Sequence, residues 1–189
     1  MAFWTSTALS PNLANRFLVE IPFLNSGKTT YSQVLAKSVS PMPSFTTQLI
    51  GGELDQEGTG YDPSTKQARV KWTPITITFA NVAYDPVEQN LLYKFFQQLY
   101  DAGYNPPTQD AEANSSVLIS NSLIKENLSH VHIYTLRPDG SKTSTFKLIN
   151  PIITAMSVQQ VSYESDDLHT FEVTFDYSFV EFTAQWCAT

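Results

Sequence analysis

The chain has 189 residues, and its 42% hydrophobic content is enough for one domain to bury a core without disulfides. Its 11 basic and 18 acidic residues give a formal net charge of -7, which argues against a protein that grips nucleic acid by neutralising phosphates. The single Cys187 excludes a disulfide within the chain. No leader peptide or run of about 18 apolar residues is found, so neither export by a cleaved signal nor a membrane segment is expected.

The N-terminal half is predicted to contain short strands bounded by prolines and polar loops. Residues 1–14 are mixed and mostly polar, and we interpret them as an arm before the first strand. Strands are predicted at 16–23, 35–39, 45–50 and 73–79, because apolar residues there alternate with polar ones or form short runs that prolines interrupt.

A long projecting loop is predicted at residues 51–62, between two of these strands. The segment combines glycines and acids with a lone leucine, so it has little apolar surface to pack on its own core. The residues that define this loop are Gly51, Gly52, Glu53, Leu54, Asp55, Glu57, Gly58 and Gly60.

One amphipathic helix is predicted at about residues 86–101. Asp85 is a favourable N-cap, Pro86 suits the first helical position, and Gly103 can end the helix in a left-handed conformation. Its apolar residues recur at helical spacing and predict a stripe that packs on a sheet: Leu91, Leu92, Phe95, Phe96 and Leu99. Residues 103–127 are mostly polar and are predicted to form a long loop.

The C-terminal third is predicted to form two antiparallel hairpins. Strands at 131–136 and 143–149 flank the turn sequence Arg-Pro-Asp-Gly at 137–140. A strand at 155–163 then leads through an acidic turn into a strand at 170–179, in which every odd residue is apolar. The odd positions predict a dry face of Phe171, Val173, Phe175, Tyr177 and Phe179, and the even positions a wet face of Thr170, Glu172, Thr174, Asp176 and Ser178.

These elements predict a mainly β fold with seven or eight strands and one helix. Residues 1–189 show no compositional break or internal repeat, so we expect a single domain. Alternating strands with a single helix favour two packed antiparallel sheets, as a sandwich or barrel, with the helix on one side.

No pattern in the sequence predicts a catalytic, cofactor or metal site. His130 and His132 have the spacing of a metal pair on one strand face, yet no carboxylate or further ligand lies near them in sequence. No serine lies in a Gly-x-Ser-x-Gly context. The protein is therefore expected to be no enzyme and to need no cofactor.

Three segments resemble parts of the tail tube proteins of contractile-tailed bacteriophages. The sequence WTPITITF at 72–79, followed by the amphipathic helix, is similar to a strand-and-helix segment of that family. The sequence SYESDDLHTFEVTFDY at 162–177 resembles its C-terminal hairpin, and NRFLVEI at 15–21 resembles its opening strand. The three segments occur in the family's order and together cover most of the chain between 15 and 182.

The resemblance implies a structural virion protein that forms hexameric rings, which stack into the inner tail tube. DNA would pass through the bore without specific binding, and the partners would be further copies, the sheath, the baseplate and the tail terminator, with no membrane. The protein would assemble in the host cytoplasm and reside in the tail. The wet face of the strand at 170–179 would line the bore, and the loop at 51–62 would contact neighbouring subunits.

Three alternatives remain open on the sequence, one of which is a tail-terminator or baseplate protein that resembles the tube subunit. The chain could be the tube protein of a type VI secretion system or of another contractile injection device, since these share the architecture that the resemblance implies. From a different class, a sugar-binding jelly-roll module would also be antiparallel and rich in aromatic residues, although its aromatic side chains should be exposed.

Overall fold

The computed structural model describes residues 14–22, 36–50, 67–82, 90–101, 128–163 and 167–184. The predicted loop at 51–62, the predicted loop at 103–127 and all but the last residue of the predicted arm lie outside these ranges. The described elements are β1 (Phe17–Glu20), β2 (Ala36–Ser40), β3 (Phe45–Ile50), β4 (Gln67–Trp72), β5 (Ile75–Ala80), α1 (Leu91–Asp101), β6 (His130–Leu136), β7 (Lys142–Ile149), β8 (Ile152–Val158), β9 (Thr170–Asp176) and β10 (Phe179–Ala184).

Eight of the ten strands form two four-stranded antiparallel sheets. Sheet I has the order β1-β6-β7-β10, sheet II has the order β2-β5-β9-β8, and β3 pairs with β4 in a separate hairpin. The prediction of a mainly β fold with two packed sheets and one helix is confirmed. Among the described strands neither sheet closes into a barrel.

The alternating sequences of β5 and β9 produce the core face of sheet II. Their antiparallel register places Ile77 opposite Val173 and Phe79 opposite Phe171. Because successive side chains of a strand point to opposite faces, the isoleucine, valine and phenylalanine side chains of both strands point toward sheet I. The shared core also contains Val19, Val131, Ile133 and Leu148 of sheet I and Leu91 and Phe95 of α1.

Helix α1 begins at Leu91, five residues later than predicted. Asn90 is not helical, and its Oδ1 accepts hydrogen bonds from the backbone N–H groups of Leu92 at 2.9 Å and Tyr93 at 3.3 Å. Asn90 is therefore the N-cap, because its side chain satisfies donors that the first turn leaves unpaired. The predicted cap Asp85 lies outside the described residues.

The apolar stripe of α1 is buried less uniformly than predicted. Leu91 and Phe95 are buried, Leu92 and Leu99 are half-buried, and Phe96 is exposed. Because the helix docks near one edge of sheet II, only the residues at the centre of the stripe are fully covered.

The predicted strand at 170–179 is in fact two strands in different sheets. β9 ends at Asp176, and the chain crosses to sheet I, where β10 begins at Phe179. The N–H of Ser178 donates to the carbonyl of Ile149, and the Tyr177 hydroxyl donates to the carbonyl of Thr73 at 2.8 Å. Phe179 was predicted in the core, but it is 44% exposed, because it lies after the crossing.

The predicted turn between β6 and β7 is confirmed. Gly140 has a φ of 82°, which favours glycine, and its N–H donates to the carbonyl of Arg137 at 3.0 Å. Asp139 Oδ1 accepts hydrogen bonds from the hydroxyl and the N–H of Ser141, and these bonds lower the pKa of Asp139.

A row of polar side chains crosses the outer face of sheet I. The strand register aligns Glu20, His132, Lys147 and Glu181, and Lys147 Nζ lies 3.1 Å from Glu181 Oε2. The Tyr134 hydroxyl donates to Glu20 Oε2 at 2.6 Å, while His132 Nδ1 lies 4.0 Å from the same oxygen. Burial is the main cause that lowers the pKa of His132, the neighbouring His130 lowers it further, and Glu20 opposes the shift.

Removing the cap of α1 should destabilise the domain. We expect Asn90→Ala to lower the free energy of unfolding by about 1 kcal/mol, because two N–H groups of the first turn lose their acceptor. Asn90→Asp keeps the acceptor oxygen and should recover part of this loss, although it also loses the bond from Asn90 Nδ2 to the Val82 carbonyl. Urea denaturation of the three proteins measures the effect, and equal stability of Asn90→Ala and wild type would contradict the assignment.

The lowered pKa of His132 predicts that acid destabilises the fold. The unfolded chain, in which His132 has a pKa near 6.5, binds this proton more tightly than the folded chain does. The contribution to stability is thus present above pH 6.5 and is lost as the pH falls from 6.5 through the lower folded pKa. His132→Gln should flatten this part of the profile of unfolding free energy against pH. Glu181→Gln, which keeps His132, should retain it; unchanged slopes in the His132 variant would refute the prediction.

Candidate interaction surfaces

The outer face of sheet II is covered by small hydroxyl side chains. One cross-strand row contains Ser40, Thr76 and Thr174, and the next contains Ser38 and Thr78. The hydroxyls of Thr76 and Thr174 lie 3.0 Å apart and share a hydrogen bond. This face is therefore polar but smooth, since few long side chains rise from it.

The five residues predicted on the wet face differ in exposure and in position in the structure. Glu172 and Asp176 are exposed on the outer face of sheet II, and Thr174 is half-buried beside Thr76. Ser178 is exposed but lies in the crossing between β9 and β10, so it is not part of the sheet face.

Thr170 was predicted to face solvent, and this is wrong. It is only 9% exposed, and both its N–H and its hydroxyl donate to Gln159 Oε1, at 3.1 Å and 2.8 Å. The Gln159 side chain covers the start of β9, a contact across the hairpin that alternation along one strand does not reveal.

Acidic charge dominates the outer face of sheet II along β5, β8 and β9. The strands β5, β8 and β9 contain no lysine or arginine, and their only charged residues are Glu172 and Asp176. Asp176 Oδ1 accepts the N–H of Tyr177 at 2.9 Å, and burial followed by the Asp176 charge raises the pKa of the Tyr177 hydroxyl. Polyanions near this face would be repelled.

The described residues contain no group of three or more His, Cys, Asp or Glu side chains that could hold a metal ion. The rings of His130 and His132 do lie on one strand face, with centroids 4.5 Å apart. The His130 Nδ1 atom is engaged with the Ser129 hydroxyl, and His132 Nδ1 has no hydrogen-bond partner. Two imidazoles without a further ligand do not make a structural or catalytic zinc site.

An apolar groove separates α1 from the edge strand β8, and no pattern in the sequence predicted it. We call it the α1–β8 groove; its volume is about 360 Å³, and its lining includes Phe96, Leu99, Ile153, Met156 and Val158. Tyr93 and Tyr100 are also exposed on α1, and with Phe96 they follow the spacing of one helix face. That spacing was a signal available in the sequence.

Exposed apolar residues also lie past the end of the other edge strand, β2, and in the β3–β4 hairpin that continues the β2–β5 pair. We call Met42, Phe45 and Val70 the Phe45 patch; Phe45 is 55% exposed. Its ring contacts Trp72 edge-on at 5.4 Å, and Trp72 in turn contacts Tyr177. The predicted loop at 51–62, which follows β3, lies outside the described residues.

No helix in the described part of the chain is long and apolar enough to cross a membrane.

Comparison with known proteins finds similarity in structure but not in sequence. No protein-family model matches the chain. No curated protein matches it either.

Several solved structures share the fold over nearly the whole chain. A chain of the PVC sheath-tube complex, an extracellular contractile injection system in its extended state, is 17% identical with a TM-score of 0.60, and the match covers 96% of this chain and 100% of that one. A chain of the PVC sheath/tube terminator is 16% identical with a TM-score of 0.57, covering 93% and 99%. A chain of the anti-feeding prophage tube terminating cap is 14% identical with a TM-score of 0.52, covering 98% and 100%.

A type six secretion system protein also matches, at 10% identity over 89% of this chain and 83% of that one, but its TM-score of 0.43 is too low to carry an argument. The chain thus has the fold found in tube assemblies of contractile injection systems.

Proposed function

We propose that this chain is the tube subunit of a contractile injection system, and that hexameric rings of it stack into the inner tube. The observation that carries the proposal is the match to a chain of a sheath-tube complex over 96% of this chain and 100% of that one. A match over the full length of both chains concerns the whole domain, and a recurrent sheet motif alone would not produce it.

The surfaces of the chain support a structural role. The exposed hydroxyl and acidic face of β5, β8 and β9 in sheet II suits the wall of a channel, because these three strands offer no lysine or arginine to a passing polyanion. Edge strands exposed in one subunit would be paired in a ring, which removes a site for uncontrolled aggregation. A structural protein without catalytic activity or cofactor fits these features.

We propose that the injection system is the tail of a contractile-tailed phage, and that the cargo ejected through its tube is DNA. The subunit would assemble in the host cytoplasm, reside in the virion tail and contact the sheath, the baseplate and the tail terminator. The second candidate is the tube of an extracellular injection device; it is favoured by the names of the PVC and anti-feeding prophage structures. Both candidates use the same ring, so they differ in what passes through the bore.

Electron microscopy of the purified protein tests the tube proposal. We expect sixfold rings at low concentration and stacked tubes as the concentration rises. A deletion variant tests the loop. Ile50 at the end of β3 pairs with Gln67 at the start of β4, so a two-residue turn can replace residues 51–66 and join the two strands directly. If the loop contacts neighbouring subunits, this variant should stay folded but form no tubes. A monodisperse wild-type monomer that binds glycans would instead favour the sugar-binding alternative.

The bore-facing side of sheet II can be tested by charge reversal. We propose that Glu172, Thr174 and Asp176 face the bore, which repeats the acids around each ring. Glu172→Lys should leave folding and tubes intact, since Glu172 is an exposed strand residue, but should make the tubes retain short DNA duplexes at low salt. The retained DNA should resist nuclease, because the wall shields it, and should be released as salt is raised.

Glu172→Gln is the matched control, since it removes the charge without adding a cation. If Glu172→Lys tubes bind DNA that nuclease digests fully, the side chain lies on the exterior and sheet II does not line the bore.

A further inference from the structure

Sheet II ends in two unlike edge strands, β2 and β8. Within the described residues, β2 pairs only with β5, and β8 pairs only with β9. Each edge strand therefore presents backbone N–H and C=O groups without a partner in the sheet, which is a template for pairing with another chain.

The β8 edge lies beside an apolar and uncharged surface. None of the described residues that line the α1–β8 groove is acidic or basic, and Val158 at its rim is 44% exposed. Such a surface gains free energy when an apolar side chain of suitable size displaces water from it.

The β2 edge lies next to exposed apolar side chains of that kind. Met42 follows β2 by two residues, and Phe45 opens β3. Contact with Trp72 holds the Phe45 ring in place, so little conformational freedom would be lost when it docks. Ser40, which ends β2, lies in the same cross-strand row as Ala155 of β8, so the Phe45 patch lies level with the start of β8.

The two sides of the sheet also carry opposite charge. Residues 36–50 and 67–82 contain Lys37, Arg69 and Lys71 and no acid. Residues 150–184 contain no lysine or arginine, and their acids include Asp167, Glu172 and Asp176. The three cations disfavour a contact between two β2 sides, and the acids that follow β8 in the chain favour a head-to-tail contact with a β2 side.

We propose that the α1–β8 groove is the socket for the Phe45 patch of the next copy in the ring. The inference rests on the proposed tube function and assigns the contact between adjacent subunits to named residues. β8 of one copy lies beside β2 of its neighbour, and Met42 and Phe45 of the neighbour fill the groove. Because the two surfaces differ and lie at opposite edges, the contact is heterologous and closes into a ring.

A mixing experiment tests the pairing of the two surfaces. Phe45→Asp should damage only the patch, and Val158→Asp should damage only the groove. Both residues are exposed, so each variant should fold, which melting curves of the two proteins check. Each variant alone should be monomeric, since every contact needs both surfaces. An equimolar mixture should give a one-to-one heterodimer, formed by the intact groove of one variant and the intact patch of the other. It should grow no further, because only a damaged patch and a damaged groove are left exposed.

The control is Phe182→Asp, which changes an exposed aromatic residue on the sheet I edge and should still form rings. Tubes formed by either single variant, or a mixture that stays monomeric by analytical ultracentrifugation, would overturn the proposal.

Crosslinking separates this inference from the tube proposal. In a Cys187→Ser background, the double variant Met42→Cys, Thr154→Cys should form a ladder of disulfide-linked oligomers on a non-reducing gel, whereas each single-cysteine variant stops at a dimer. Tubes seen by microscopy without a ladder would refute the socket and leave the tube function standing. If wild-type protein forms no rings or tubes at all, the tube function itself fails.

Discussion

The aromatic contact between sheet II and α1 determines where the helix lies on the sheet. Phe79 and Phe171 stack across β5 and β9 with centroids 5.4 Å apart, and Phe95 of α1 packs against both, at 5.7 Å and 5.8 Å. All three rings are buried, and burying each contributes roughly 1.5 to 3 kcal/mol before entropy is subtracted. Because this cluster fixes the helix beside β8, the groove opens at that edge, whereas no helix among the described residues covers the β2 edge.

The outer faces of the two sheets differ in chemistry because their strands differ in residue type. Sheet I carries the row of Glu20, His132, Lys147 and Glu181, in which charges of both signs alternate. Sheet II carries hydroxyls with Glu172 and Asp176. In the proposed tube one face would meet the cargo and the other a surrounding protein, and only the mixed face offers paired charges for a specific protein contact.

Alternation along a single strand predicted the core of sheet II well. The period of two placed Ile75, Ile77, Phe171, Val173 and Phe175 in the core, and all five are buried. The same rule failed at Phe179, which is exposed, because alternation continues unbroken where the chain leaves one sheet for the other. That crossing depends on hydrogen bonds to Ile149 and Thr73, which are distant in sequence.

The start of the helix was predicted too early because Pro86 is a strong signal for a first helical position. Asn90 was therefore counted as a residue on the helix surface and not as the N-cap. β4 was missed although Ala68, Val70 and Trp72 alternate with polar residues, since Val70 is exposed and the strand pairs only with β3. The groove could not be predicted at all, because it arises between a helix and a strand that lie far apart in the chain. Surfaces made by tertiary packing require the structure.

Hydrogen exchange tests the central claim most directly, namely that copies of this chain join through the two edges of sheet II. Amides of β2 and β8 should exchange rapidly in dilute monomer and become strongly protected on assembly, because each edge gains backbone partners. Amides of β1 and β10, the edges of sheet I, should change little. Protection that appears at β1 and β10 while β2 and β8 remain unprotected would contradict the account.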